Sequence, residues 1–104
     1  MIVDHRTYTL HPGKTNEYLE TYEKHGFAIQ TKHLGQPVGY FSSEIGPMNQ
    51  VVHIWKYQSL AERDERRAKM MADPGWLTYI KMVQPLILLQ ETKILRAAKF
   101  MPQA

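Results

Sequence analysis

Cysteine is absent from this 104-residue chain, and glycine and proline are sparse at six each. Without thiols there is no disulfide framework, no thiolate metal site and no cysteine nucleophile, a pattern that fits a reducing compartment. The glycines are scattered, and neither GxGxxG, GxxxxGK[ST] nor GxSxG occurs, so a nucleotide loop or a hydrolase elbow has no local support. Long apolar runs are missing too: the longest, Leu86–Leu89, is far short of the ~20 residues that span a bilayer. The opening residues, Met1 to Arg6, carry no apolar run after a basic stretch, so no secretory leader is expected and a cytoplasmic location is. Charge of one sign is also lacking. Thirteen Lys and Arg against ten Asp and Glu leave +3, too mild to demand nucleic acid or an anionic membrane as partner. What is present is 43% hydrophobic residues, with aromatics making up 11% of the chain, enough for one core. One domain over residues 1–104 is expected.

Periodicity gives the element order. Residues 2–10, β-branched and aromatic, predict a strand with Ile2, Asp4, Arg6, Tyr8 and Leu10 on one face and Val3, His5, Thr7 and Thr9 on the other. Pro12-Gly13 stops it. The spacing over 14–33 predicts a helix whose stripe runs through Thr15, Leu19, Tyr22, Gly26, Ile29 and His33, with Tyr18 and His25 beside it. Strands are expected at 38–45 and 50–57, joined by a Gly46–Asn49 turn. Ser59 with Glu62 suits the start of a helix over 60–72. Asp73-Pro74-Gly75 breaks it before a shorter helix at 76–83, and 86–97 reads as a last strand ahead of a fraying tail at 98–104.

The order βαββαβ with an extra helix is the ferredoxin-like α+β arrangement: a four-stranded antiparallel sheet with helices on one face. The face away from the helices would carry Val3 or Ile2, Val52, Ile54 and several of Leu86–Leu89. Apolar residues on both faces of central strands imply that both are covered, and the chain has no elements left to do it. A homodimer follows as the expectation.

Few side chains offer chemistry. The five histidines form no HxH or HExxH spacing, so neither metal nor cofactor is expected, and His5, His11, His25 and His33 read as surface or hydrogen-bonded side chains. His53 differs, lying mid-strand between Val51 and Trp55. It reads either as a buried proton carrier or as a hydrogen-bonded core imidazole. Arg63 and Arg67, four apart on a partly apolar helix stripe with Leu60, Met70 and Met71, either clamp an acidic ligand group, or snorkel with their heads in water, or pair with Asp4, Glu44 or Glu91. Arg6 and Tyr8 on the first strand neighbour His53, Trp55 and Tyr57 if the first and third strands are central, and Tyr22 on the first helix can face them. That set is either the lining of a ligand cleft or a tyrosine-rich core.

Three segments in order, RTYTLHPGK (Arg6 to Lys14), HIWKYQSLAERDERR (His53 to Arg67) and DPGWLTYI (Asp73 to Ile80), resemble the NIPSNAP family over about residues 2–95. The resemblance implies a dimeric α/β-barrel, two ferredoxin-like subunits with their sheets facing. It carries Arg6, Tyr8, His53, Trp55, Tyr57, Arg63, Arg67 and Trp76 as motif positions. The family has no settled activity, but similar folds include cofactor-independent monooxygenases, haem-handling enzymes and isomerases. The site expected on this basis lies between sheet and helices, with His53 as acid or base, Tyr8 and Tyr57 as donors, and Arg63 or Arg67 holding a carboxylate of a small acidic or aromatic molecule. A haem would have only His53 or His25 to bind it. The alternative is a non-catalytic ligand-binding or protein-interaction module. RNA is not expected, because the third strand lacks the aromatic RNA-binding motif.

Overall fold

A computed structural model describes residues 1–101. Four strands, β1 (Ile2–Leu10), β2 (Gly39–Ser42), β3 (Gln50–Tyr57) and β4 (Ile87–Arg96), form one antiparallel sheet in the order β2-β3-β1-β4. The sequence-derived βαββαβ fold is therefore the observed one, with β1 and β3 central. The expected 38–45 strand is shortened at both ends to β2, and the loop to β3 is closed by Asn49 at φ 61°, in the left-handed region that asparagine tolerates.

The predicted 14–33 helix is two helices, α1 (Thr15–His25) and α2 (Phe27–Leu34), meeting at Gly26. Packing explains the glycine. A Cβ there would lie 2.8 Å from the Tyr79 ring and 2.9 Å from that of Tyr22. The break turns the second segment so that Gln30 and Leu34 are buried, rather than Ile29 and His33.

Helix α3 (Leu60–Met71) starts as expected, with Ser59 Oγ accepting from the Glu62 amide at 3.1 Å, while the Glu62 carboxylate takes the Gln58 amide at 2.8 Å. Helix α4 (Pro74–Val83) starts two residues earlier than its sequence suggested. Asp73 accepts from the Gly75 amide at 2.9 Å, and Pro74 sits in the first turn, where its missing N–H costs nothing. The Asp-Pro-Gly triplet is thus a helix start as well as a break. A 3₁₀ turn at Gln84–Leu86 leads into β4. Of the expected tail, residues 102–104 lie outside the described residues.

The helices cover one face of the sheet. Burial alternates along β3, with Val51, His53, Trp55 and Tyr57 inside, and the β1 residues facing them are Tyr8, Arg6, Asp4 and Ile2. Leu10, Tyr18, Tyr22, Leu34, Met70, Trp76, Tyr79, Val83 and Leu86 complete the core between sheet and helices. Leu86 therefore belongs to this core and not to the opposite face, and Val3 rather than Ile2 lies on that face. Leu60 and Met71, expected inward on α3, are exposed; only Arg63, Arg67 and Met70 of that stripe turn toward the sheet.

The opposite face carries Val3, Phe41, Val52, Ile54, Leu89 and Leu95, as the strand pairing dictates. No element of the described chain covers it. Strand β4 is exposed from Leu88 to Arg96, on both faces.

Candidate functional site

Two groups of polar side chains meet on the helix side of β1 and β3. The first surrounds Asp4, which is 0% exposed. Its Oδ1 accepts from Arg6 Nε at 3.1 Å and its Oδ2 from Arg63 Nε at 2.9 Å. A fully buried carboxylate needs such partners, since desolvation costs several kcal/mol unless it is paired (about 20 in the idealised limit). The pairing arises because Asp4 and Arg6 share the inward face of β1 at i and i+2, while α3 brings Arg63 across it. Of the alternatives for Arg63, the Asp4 pair is the one present, and Arg63 also reaches Asp64 at 3.1 Å.

Arg67, one helical turn on from Arg63, has no carboxylate within ion-pair distance among the described residues. Burial, then the Arg6 and Arg63 guanidiniums, push its pKa below the ordinary arginine value. It keeps its charge even so, as arginine does. For Arg6, burial acts against the charge, but Tyr8 and Asp4 outweigh it and hold its pKa up. Two guanidiniums thus bond the Asp4 carboxylate and a third, Arg67, stands near them without bonding it. Beside them lies Tyr57, 2% exposed, whose hydroxyl has no hydrogen-bond partner among the described residues. Burial, and then the Asp4 charge, raise the Tyr57 pKa, so its proton stays on as a donor.

The second group encloses a cavity of about 30 Å³, lined by five of the six tyrosines (Tyr8, Tyr18, Tyr22, Tyr40 and Tyr79) together with His53, Gln30, Trp76, Ile80, Val83, Ile87 and Gln90. That is room for about two waters. The two groups join through Arg6, whose Nη1 donates to Tyr8 Oη at 3.1 Å. The His53 ring stands edge-on to Tyr8, with centroids 4.8 Å apart, and stacks on Tyr40 at 4.6 Å and 12°. Tyr40 also stacks on Tyr22, and its hydroxyl shares a 2.9 Å hydrogen bond with that of Tyr18. The Tyr22 hydroxyl donates to Gln30 Oε1. Burial raises the pKa of Tyr18 to about 12, and also raises those of Tyr22, Tyr40 and Tyr79, so these phenols stay protonated.

His53 sits between the groups. Trp55 Nε1 donates to its Nδ1 at 2.7 Å. Burial first, and then the Arg6 charge, lower its pKa from 6.5 to about 3. The ring is neutral near pH 7, and because an indole N–H can only donate, Nδ1 is the acceptor and the proton is on Nε2. That narrows the expected acid–base role: the free group is an N–H, not a lone pair.

The eight candidate site side chains named from sequence all lie between sheet and helices. Arg6, Tyr57, Arg63 and Arg67 gather around Asp4, while Tyr8, Tyr22 and His53 line the cavity and Trp55 braces His53 from outside it; Trp76, the remaining motif position, also lines the cavity. Sequence reading gave no role to Tyr40, Gln30 or Tyr79. Tyr40 could have been found from its place opposite His53 in the hairpin register. Gln30 could not, because the helix break hides it. Among the described residues no group of three or more His, Cys, Asp or Glu is placed to hold a metal ion, and His25 is exposed on α1. The 30 Å³ cavity does not admit a haem beside His53.

Comparison with known proteins gives the context. The NIPSNAP family model matches residues 3–102. Human NipSnap homolog 3A is 46% identical over 72 residues, covering 68% of this chain and 28% of that protein. The Drosophila melanogaster NipSnap protein is 33% identical over 102 residues, covering 97% of this chain and 36% of that one. The chain therefore spans about a third of the length of these curated relatives. Among solved structures, a NIPSNAP family protein of unknown function from Agrobacterium tumefaciens is 49% identical, with TM-score 0.94 over 98% of this chain and 92% of that chain. A putative antibiotic biosynthesis monooxygenase from Nitrosomonas europaea has TM-score 0.68 at 14% identity, covering 93% of this chain and 98% of that one, a likeness of fold alone.

Proposed function

The chain belongs to the NIPSNAP family, and from that premise we propose that it holds a small carboxylate-bearing molecule, acidic or aromatic, between α3 and the β1–β3 floor. The observation that carries this reading is the charge imbalance around Asp4: three guanidiniums against its buried carboxylate and the exposed one of Asp64, with the Arg67 guanidinium and the Tyr57 hydroxyl both without a hydrogen-bond partner among the described residues. An unpaired guanidinium and a buried donor side by side suit the two oxygens of a carboxylate. In this reading Arg67 and Tyr57 hold the ligand, Arg63 and Arg6 are fixed by Asp4 to keep the potential positive, and Tyr8 and His53 act as neutral donors toward the rest of the molecule. A neutral imidazole that polarises a carbonyl would serve an isomerisation or a cofactor-independent oxygenation.

Calorimetric titration of benzoate against benzyl alcohol tests the binding. Benzoate should bind and benzyl alcohol should not. Arg67→Gln should weaken benzoate by about tenfold, the loss of one charge-assisted bond. Equal affinity in the variant would end the proposal.

A second reading, a binding module without chemistry, is favoured by one observation. The His53 imidazole is shifted down and the phenols of Tyr18, Tyr22, Tyr40, Tyr57 and Tyr79 are shifted up, which leaves none of these a ready proton carrier at pH 7.

We also propose a homodimer, sheet against sheet. The support is the apolar face of Val3, Phe41, Val52, Ile54, Leu89 and Leu95, together with the fold class. A dimer should bury more than about 1,200 Å² in total. A monomer by sedimentation at micromolar concentration would contradict it.

A further inference from the structure

We infer that the tyrosine-lined cavity is a second binding position, built to take an acceptor oxygen of a very small carboxylate or carbonyl group. It shares the His53 donor with the reading above, but Arg67 has no part in it. Two N–H donors on side chains that line the cavity are buried and have no partner among the described residues. One is His53 Nε2, on a side chain 1% exposed, and the other is Trp76 Nε1, on a side chain 5% exposed. The His53 donor is fixed by its neighbour, because Trp55 occupies Nδ1 and leaves the proton on Nε2.

None of the five tyrosine hydroxyls around the cavity accepts from these donors. Tyr22 donates to Gln30, Tyr18 and Tyr40 bond each other, and Tyr8 accepts from Arg6. The wall therefore has a surplus of donors, which an acceptor satisfies and a cation or a further donor does not. Size narrows the class. A volume of about 30 Å³ matches a group of two or three heavy atoms, such as formate or the head of a larger acid.

The two tryptophans provide both the probe and its control. In ¹H–¹⁵N spectra of the indole-labelled chain, titration with formate should move the Trp76 Nε1–H signal downfield and leave that of Trp55, held by His53, nearly still. Methylammonium, similar in size but a donor, should move neither. Trp76→Phe, which keeps an aromatic ring and removes the N–H, should weaken formate binding by about tenfold, read from the His53 ring signals. An unmoved Trp76 signal, or equal shifts of both indoles, overturns the inference. So does a response to methylammonium.

Arg67→Gln separates the two sites. If the Trp76 response to formate persists in that variant, the cavity binds by itself. If it vanishes, formate was bound at Arg67, and the cavity inference falls while the Arg67 reading stands.

Discussion

Trp55 donates its indole N–H to Nδ1 of His53 across 2.7 Å, two residues along the same buried face of β3. The bond selects one tautomer of a histidine that would otherwise choose freely, and leaves Nε2–H toward the tyrosines. The motif HxW thus encodes a neutral hydrogen-bond donor of fixed orientation.

Acid should reveal that state. The folded His53 pKa, about 3, lies below its ordinary value of 6.5. Between those values the unfolded chain binds a proton that the folded chain does not, so stability is full above pH 6.5 and falls as pH drops toward 3. Melting temperatures from pH 7.5 to 4 should decline more steeply for the native chain than for His53→Gln. Parallel curves would show that His53 titrates normally in the fold.

Asp4→Asn should destabilise by about 3–5 kcal/mol, because it leaves two arginines beside an uncompensated amide in a dry site. Lys14→Ala, which removes an exposed pair with Glu17, should cost less than about 1 kcal/mol. Urea unfolding of both variants makes the comparison. Equal midpoints would mean that Asp4 is solvated.

Trp55→Ala should cost about 3–5 kcal/mol, the usual loss on emptying a buried large aromatic site. Trp55→Phe should keep most of that packing while freeing His53 Nδ1. In ¹⁵N spectra His53 should then populate both tautomers. A single Nε2–H tautomer in Trp55→Phe would show that something other than Trp55 fixes the ring.

Gly26→Ala tests the joint between α1 and α2. Its added methyl meets the rings of Tyr79 and Tyr22 within 3 Å, so overpacking by about 1–3 kcal/mol is expected in thermal or urea unfolding. A neutral or stabilising effect, as propensity alone would give a glycine inside a helix, would show that the rings move aside.

Much of this was legible in the sequence because strand periodicity is strict. A period of two on β1 and β3 put Asp4, Arg6 and Tyr8 on one face, and His53, Trp55 and Tyr57 on the facing one. The antiparallel pairing then set His53 opposite Arg6. The misreadings came from helices and edges. Gly26 ends a helix through a tertiary contact with Tyr79, fifty-three positions away in sequence, and no local pattern reports that. Pro and Gly make Asp73-Pro74-Gly75 look like a break, yet Asp73 and Pro74 are also a cap and a first turn. Short edge strands carry little pattern, so nothing local marks Tyr40, although it stacks directly on His53.

The central claim is that the Asp4 cluster leaves Arg67 and Tyr57 free for a carboxylate. A crystal structure of the chain soaked with benzoate tests it most directly. The account predicts the carboxylate oxygens within hydrogen-bond distance of the Arg67 guanidinium and the Tyr57 hydroxyl, with Arg63 still on Asp4. Benzoate bound only at surface lysines, with Arg67 turned out to solvent, would contradict it.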